Sequence, residues 1–242
     1  MIERRVNNEP GFILHTWPFK ETSLLAEAFT LHHGRVALIA RGARRPRSAS
    51  RGLIQPFTAL SLSWFGKHEL RTLHDVEWQG GFVPPQGEAL MCGFYLNELL
   101  MKLLPRDDPH EILFGHYQDA LRQLGEGGVA LEVILRRFEA QLLAEIGYAA
   151  TFSHQAETGQ LVEAAEPYVF QAERGPYPYN EEHVGIPVSG QTLLDLANDS
   201  FASTLTLQEA KRLMRYLIAH HLGGKPLYTR QLLVELNQSG TP

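Results

Sequence analysis

Residues 12–40 read FILHTWPFKETSLLAEAFTLHHGRVALIA, and their period decides the fold of the first third of the chain. Phe12, Leu14 and Thr16 fall on one face of an alternating run, Leu24 to Leu31 forms a second extended segment, and Val36, Leu38 and Ala40 alternate in a third. A period of two sends successive side chains to opposite faces of a strand. The pattern returns at Leu60, Leu62 and Trp64, and again across Leu70 to Trp78. His33-Gly34 and Gly66-Lys67 stand between these runs, where the chain must reverse tightly and glycine supplies the backbone freedom. Five short strands with no long helix predict a small closed or partly closed barrel over residues 1–80. An OB-fold is the leading topology, with an SH3-like barrel as its rival.

Beyond Pro84-Pro85 the period changes. Leu90, Phe94, Leu99 and Leu103 follow helical spacing, as do Leu113, Tyr117, Leu121 and Leu124 in a second segment. A third helix carries Leu131, Leu135, Phe138, Leu142 and Ile146 and stops at Gly147. Residues 148–188, rich in aromatics, Pro and Gly, read as an irregular or short β insertion. Ser189 is placed to cap a short helix through Ala197, and Thr206 with Glu209 has the spacing of a capping box ahead of Ala210, Leu213, Met214 and Leu217. Leu232, Leu233 and Leu236 mark a last short helix. The class is therefore α+β: an N-terminal OB-fold β-barrel (1–80), then an α-helical domain (81–242) with 148–188 inserted in it.

Charge is distributed unevenly. The 242 residues carry a net charge of -5, yet residues 1–80 hold eleven Lys/Arg against seven Asp/Glu, and the remainder eleven against twenty. The first part is thus +4 and the second -9, which points to phosphate as a partner of the basic part. Hydrophobic residues make up 44% of the chain, enough to build ordinary cores and to exclude wholesale disorder. Neither a signal sequence nor an apolar run of about 18 residues is present. Cys92 is the single cysteine, so an intrachain disulfide and a cysteine-built zinc site are excluded. A cytoplasmic location is expected.

No phosphate-binding glycine loop, metalloprotease helix or nucleophile elbow occurs. His32-His33 and His220-His221 are adjacent pairs, which do not share a helix face and cannot form a metal clamp. Asp107-Asp108 reads as a solvated helix end. No catalytic residue is assigned. The informative stretch is residues 33–52, HGRVALIARGARRPRSASRG, which contains Arg35, Arg41, Arg44, Arg45, Arg47 and Arg51 and no acidic residue. Gly42, Pro46 and Gly52 keep its second part from being a helix, so it is expected as an exposed loop between the third and fourth strands. Arginine grips phosphate bidentately and stacks on bases, and OB barrels bind single strands by pairing cations with aromatic platforms. Lys20 joins the cationic set, and Trp17 and Phe19 are the aromatic candidates; Phe57, Trp64 and Phe65 are more readily barrel core.

Four segments, 12–60, 93–121, 135–148 and 209–233, in order along nearly the whole chain, resemble the RecO family of DNA repair proteins. The resemblance implies an OB-fold on a helical domain and a non-catalytic recombination mediator with no cofactor. Such a protein binds single- and double-stranded DNA, anneals complementary strands and recruits RecR so that recombinase loads on strands coated by single-strand-binding protein (SSB). It further implies that the helical domain contacts the acidic, hydrophobic C-terminal tail of SSB. Arg136, Arg137, Lys211, Arg212 and Arg215 are the cationic concentrations there. Some members hold zinc with four cysteines in the inserted module; TFSHQAETGQLVEAAEPYVFQ (151–171) has none, so no metal is expected and the module should be held by Tyr168, Phe170, Tyr177 and Tyr179. The alternatives are a metal-dependent nuclease and a protein-binding adaptor with a basic barrel. A nucleoid-associated place in a bacterial cytoplasm follows from the resemblance.

Overall fold

The computed structural model describes residues 5–81, 83–147 and 152–232. The first strand, β1 (Arg5–Phe19), is fifteen residues long and serves two neighbours. Its first half pairs with β4 (Ala59–Phe65) and its second half with β2 (Ser23–Thr30), both antiparallel. Register shifts between Val6 and Glu9 and between Ile13 and His15 bend the strand, as bulges do, so one strand wraps around the barrel. β3 (Gly34–Ala40) follows β2, and β5 (Leu70–Trp78) lies parallel to β3 and antiparallel to β4. The resulting ring, β1-β2-β3-β5-β4, is the closed five-stranded topology of an OB-fold.

Ile13, Ala26, Ala28, Val36, Leu38, Leu60, Leu62 and Trp64 fill the barrel, all at or below 1% exposure. The interior residue of β1 is therefore Ile13, between the alternating positions expected to share a face. Phe12 faces the other way, where its ring meets Tyr117 (5.3 Å) and Phe114 (5.6 Å). Those rings belong to α2 (Glu111–Glu126), which with α1 (Gly87–Leu103) covers this side of the barrel. Asn97 of α1 donates to the Leu14 carbonyl (2.8 Å) and accepts from the Tyr117 hydroxyl (2.6 Å), so the side chains that meet at this buried joint are hydrogen-bonded to one another. Gly34 matters here: a Cβ would stand 1.9 Å from the Asp108 carbonyl oxygen, so the connection between α1 and α2 passes too close for any side chain.

The chain packs as two compact units. The first runs through Gly128 and resumes at Leu227; the second is Val129–Pro226. In the second unit stand α3 (Leu131–Glu145), a three-stranded sheet in the order β7-β6-β8, α4 (Gly190–Ala197) and α5 (Thr204–His221). The strands are β6 (Pro167–Gln171), β7 (Gly175–Pro178) and β8 (Ile186–Ser189), so the inserted stretch is a small antiparallel sheet. Tyr168 and Phe170 are buried in it, but Tyr177 is half-buried and Tyr179 is 52% exposed and contributes little to the core. The zinc expected of some relatives does not fit these residues. His154 stands against Ser153 (2.9 Å), and no thiolate is available to complete a tetrahedral set.

Ser189 caps α4, accepting from the Thr192 amide (3.2 Å). The capping box at Thr206 and Glu209 does not form, because α5 begins two residues earlier, at Thr204. Glu209 instead accepts from the Ser189 amide (3.0 Å) and hydroxyl (2.7 Å), tying α5 to the start of α4. Residues 228–232 form a helical turn, while Leu233 and Leu236 lie outside the described residues. Among the described residues no helix is long and apolar enough to cross a membrane.

Candidate nucleic-acid interface

Residues 41–58, between β3 and β4, run as consecutive turns. The amides of Arg45, Ser48 and Arg51 donate to the carbonyls of Gly42, Arg45 and Ser48 at 3.0–3.2 Å. Ala43, Ile54 and Phe57 are buried and root the loop on the barrel. Phe57 meets Phe94 of α1 at 5.0 Å, and a Cβ on Gly93 would come within 2.8 Å of the Phe57 ring, so the helix offers a glycine where the ring lies. Just before and between these roots, Arg41, Arg44, Arg45, Arg47 and Arg51 are all exposed. None of the five is in an ion pair with a described residue. A cleft of about 270 Å³ separates the loop at Arg41, Ser48 and Ser50 from His74 and Asp75 of β5.

The loop is fastened to the β1–β2 turn. The Arg44 amide donates to the Thr22 carbonyl at 2.9 Å, and its guanidinium reaches towards the Lys20 and Glu21 carbonyls at 3.4 and 3.3 Å. This brings Lys20, exposed and with φ of 52°, beside the arginines. Lys20 Nζ stands 5.5 Å from the centre of the half-buried Phe19 ring, and Trp17 is 37% exposed. Phe57 and Trp64 are core, but Phe65, expected with them, is only half-buried at the end of β4.

Arg35 does not join this set. It lies within β3, with its guanidinium 3.4 Å from Glu27 and donating to the Met101 carbonyl. Glu27 is 1% exposed and also accepts a bidentate pair from Arg106 at 2.9 and 2.8 Å. Burial lowers the Arg35 pKa, Glu27 opposes that, and the neighbouring Arg106 adds to it. A guanidinium so enclosed stabilises the barrel wall rather than meeting phosphate.

An OB barrel carrying an arginine loop, followed by this helical arrangement, has known counterparts. Residues 4–82 match the family model described as "Recombination protein O N terminal", and residues 84–231 match "Recombination protein O C terminal". The chain belongs to the RecO family. The protein called DNA repair protein RecO in Thiobacillus denitrificans is 63% identical over 98% of this chain and 94% of the relative. Its namesakes in Nitrosospira multiformis and Aromatoleum aromaticum are 49% and 48% identical, each over 98% of both chains.

The cations assigned to the RecO helical region stand differently from those of the loop. Arg136 is 5% exposed and donates to the fully buried Glu139 at 2.7 Å, so it is structural and not available to a partner. Arg137 holds Asp199 through two contacts of 2.8 and 2.9 Å, and Lys211 holds Glu132 at 2.9 Å. Arg212 lies 3.6 Å from Glu209, and Arg215 is exposed without an ion pair to a described residue. The three-residue spacing of Arg136 and Glu139 on one helix was a local signal of the first pair. Nothing local signals the pairs made by Arg137 and Lys211.

Proposed function

We propose that the chain is a non-catalytic recombination mediator that binds single- and double-stranded DNA through the arginine loop and anneals complementary strands. One observation carries this reading. Arg41, Arg44, Arg45, Arg47 and Arg51 are exposed together on a closed barrel with no ion-pair partner among the described residues. Cations kept free of local carboxylates keep their interaction for phosphate, and neutralising two strands lowers the repulsion that slows their meeting. No step requires a nucleotide or a metal. RecR recruitment and contact with the C-terminal tail of SSB complete the role, in the nucleoid of a bacterial cytoplasm. For the tail, Arg215 of α5 is the cation with no ion-pair partner among the described residues, and the exposed Arg212, weakly paired with Glu209 at 3.6 Å, lies on the same helix, as does the exposed Leu205.

Fluorescence anisotropy with labelled single-stranded DNA across a salt series tests the core of this reading. Each phosphate contact contributes about 0.7 to the logarithmic salt slope on single strands, so Arg44→Ala with Arg45→Ala should flatten it by about 1.4. No binding at low salt, or an unchanged slope, overturns it.

A further inference from the structure

A groove of about 630 Å³ in the first unit has no role in the reading so far. Leu14 and Trp17 of β1, Met91, Phe94 and Met101 of α1, and Tyr228 line it. His15 also lines it, exposed and against Trp17, while its other charged and amide side chains are engaged. Asn97 bonds to Leu14 and Tyr117, and Glu98 accepts from the Tyr228 amide (2.8 Å) and from the Thr229 amide (2.9 Å) and hydroxyl (2.7 Å). Lys102 is 3.1 Å from Glu98 and 4.7 Å from the centre of the Tyr228 ring. An acidic peptide would find its lysine committed. An apolar, flat occupant would find walls of carbon and sulfur.

The groove opens beside the proposed phosphate track. Beyond the bulge, His15, Trp17 and Phe19 alternate on one side of β1, with His15 against Trp17 at 4.4 Å between ring centres. Trp17 lines the groove, and Lys20, in the turn that follows β1, is three residues further on, at most about 10 Å along the chain. We infer that an unpaired nucleobase enters this groove and stacks on Trp17 while its backbone runs towards Lys20 and Arg44; this rests on the DNA-binding reading above. A base within a duplex has both faces covered and cannot enter without leaving the stack, so the groove selects single strands. Held by its faces against Trp17, the base keeps its pairing edge available for a complementary strand.

The test compares single-stranded oligonucleotides of equal length, one with bases and one with an abasic backbone, at one salt concentration. Wild-type protein should bind the base-bearing strand roughly ten-fold more tightly, in line with one stacked base. Trp17→Ala should abolish that preference and leave abasic binding unchanged, whereas Arg44→Ala with Arg45→Ala should weaken both strands alike. A second measurement needs no change in the groove. Of the three tryptophans Trp64 is buried, so in Trp78→Phe the emission of Trp17 dominates the exposed signal, and base-bearing DNA should quench it while abasic DNA does not. Equal binding of the two strands by wild type, or a Trp17→Ala protein that keeps the preference, overturns the inference and leaves the arginine loop standing. Absence of binding to either strand overturns both.

Discussion

The arginine loop and the helical cations of the second unit contain the same residue types, yet they differ in what surrounds them. Arg41, Arg44, Arg45, Arg47 and Arg51 are exposed with no carboxylate in ion-pair range among the described residues. Arg136, Arg137 and Lys211 each hold a carboxylate at 2.7–2.9 Å. A count of positive charge therefore does not measure the charge a partner can use. Free cations contribute to binding; paired ones contribute to stability, in proportion to their burial.

Substitutions can break this contrast. Arg136→Ala removes the guanidinium bonded to a fully buried carboxylate and should destabilise the protein by about 3–5 kcal/mol in denaturant unfolding, with an unchanged DNA salt slope. Arg35→Ala should cost roughly 2 kcal/mol through its lost hydrogen bond to the Met101 carbonyl and its lost ion pair with Glu27, again without flattening the slope. A flattened slope would return Arg35 to the phosphate-binding set.

Glu98 gives a pH signature of about the same origin and smaller size. Burial by itself would raise its pKa, but hydrogen bonds from Thr229, Tyr228 and Lys102 outweigh that and hold it below the usual carboxylate value. Its folded pKa is thus depressed. Its stabilisation is complete above the unfolded value of about 4.3 and is lost as pH falls through the folded value. Glu98→Gln should cost roughly 1.5 kcal/mol at neutral pH and remove this part of the acid dependence, measured by urea midpoints between pH 7 and pH 3. At the small end, Lys211→Ala breaks an exposed pair and should cost at most about 0.5 kcal/mol. Arg44→Ala with Arg45→Ala should likewise leave stability within about 0.5 kcal/mol while changing the salt slope. A large loss of stability there would show the loop to be structural.

The barrel was legible because alternation is a local property, and so was the loop, whose arginines and Gly42, Pro46 and Gly52 stand close together in the chain. What escaped was pairing between distant positions. Arg35 looks like a loop arginine until Glu27 and Arg106 are brought beside it. Lys211 and Glu132 meet across 79 residues. The apparent capping box failed for the same reason: Glu209 finds its donors at Ser189, twenty residues back, and not at its own helix start. The groove beside Trp17 is likewise assembled from β1, α1 and residues 228–232, which no single window of sequence contains.

The hold of Glu98 on Tyr228 and Thr229 has a consequence for biosynthesis. The bonds span 130 and 131 residues, so the first unit is discontinuous: its last piece is made after the whole of the second. At about 10 residues per second, α1 waits on the order of ten seconds on the ribosome before those donors emerge. During that interval Leu14, Met91, Phe94 and Met101 have no Tyr228 to cover them, and the nascent barrel carries an open apolar side. The unit that carries the arginine loop is begun before the second unit and completed only after it.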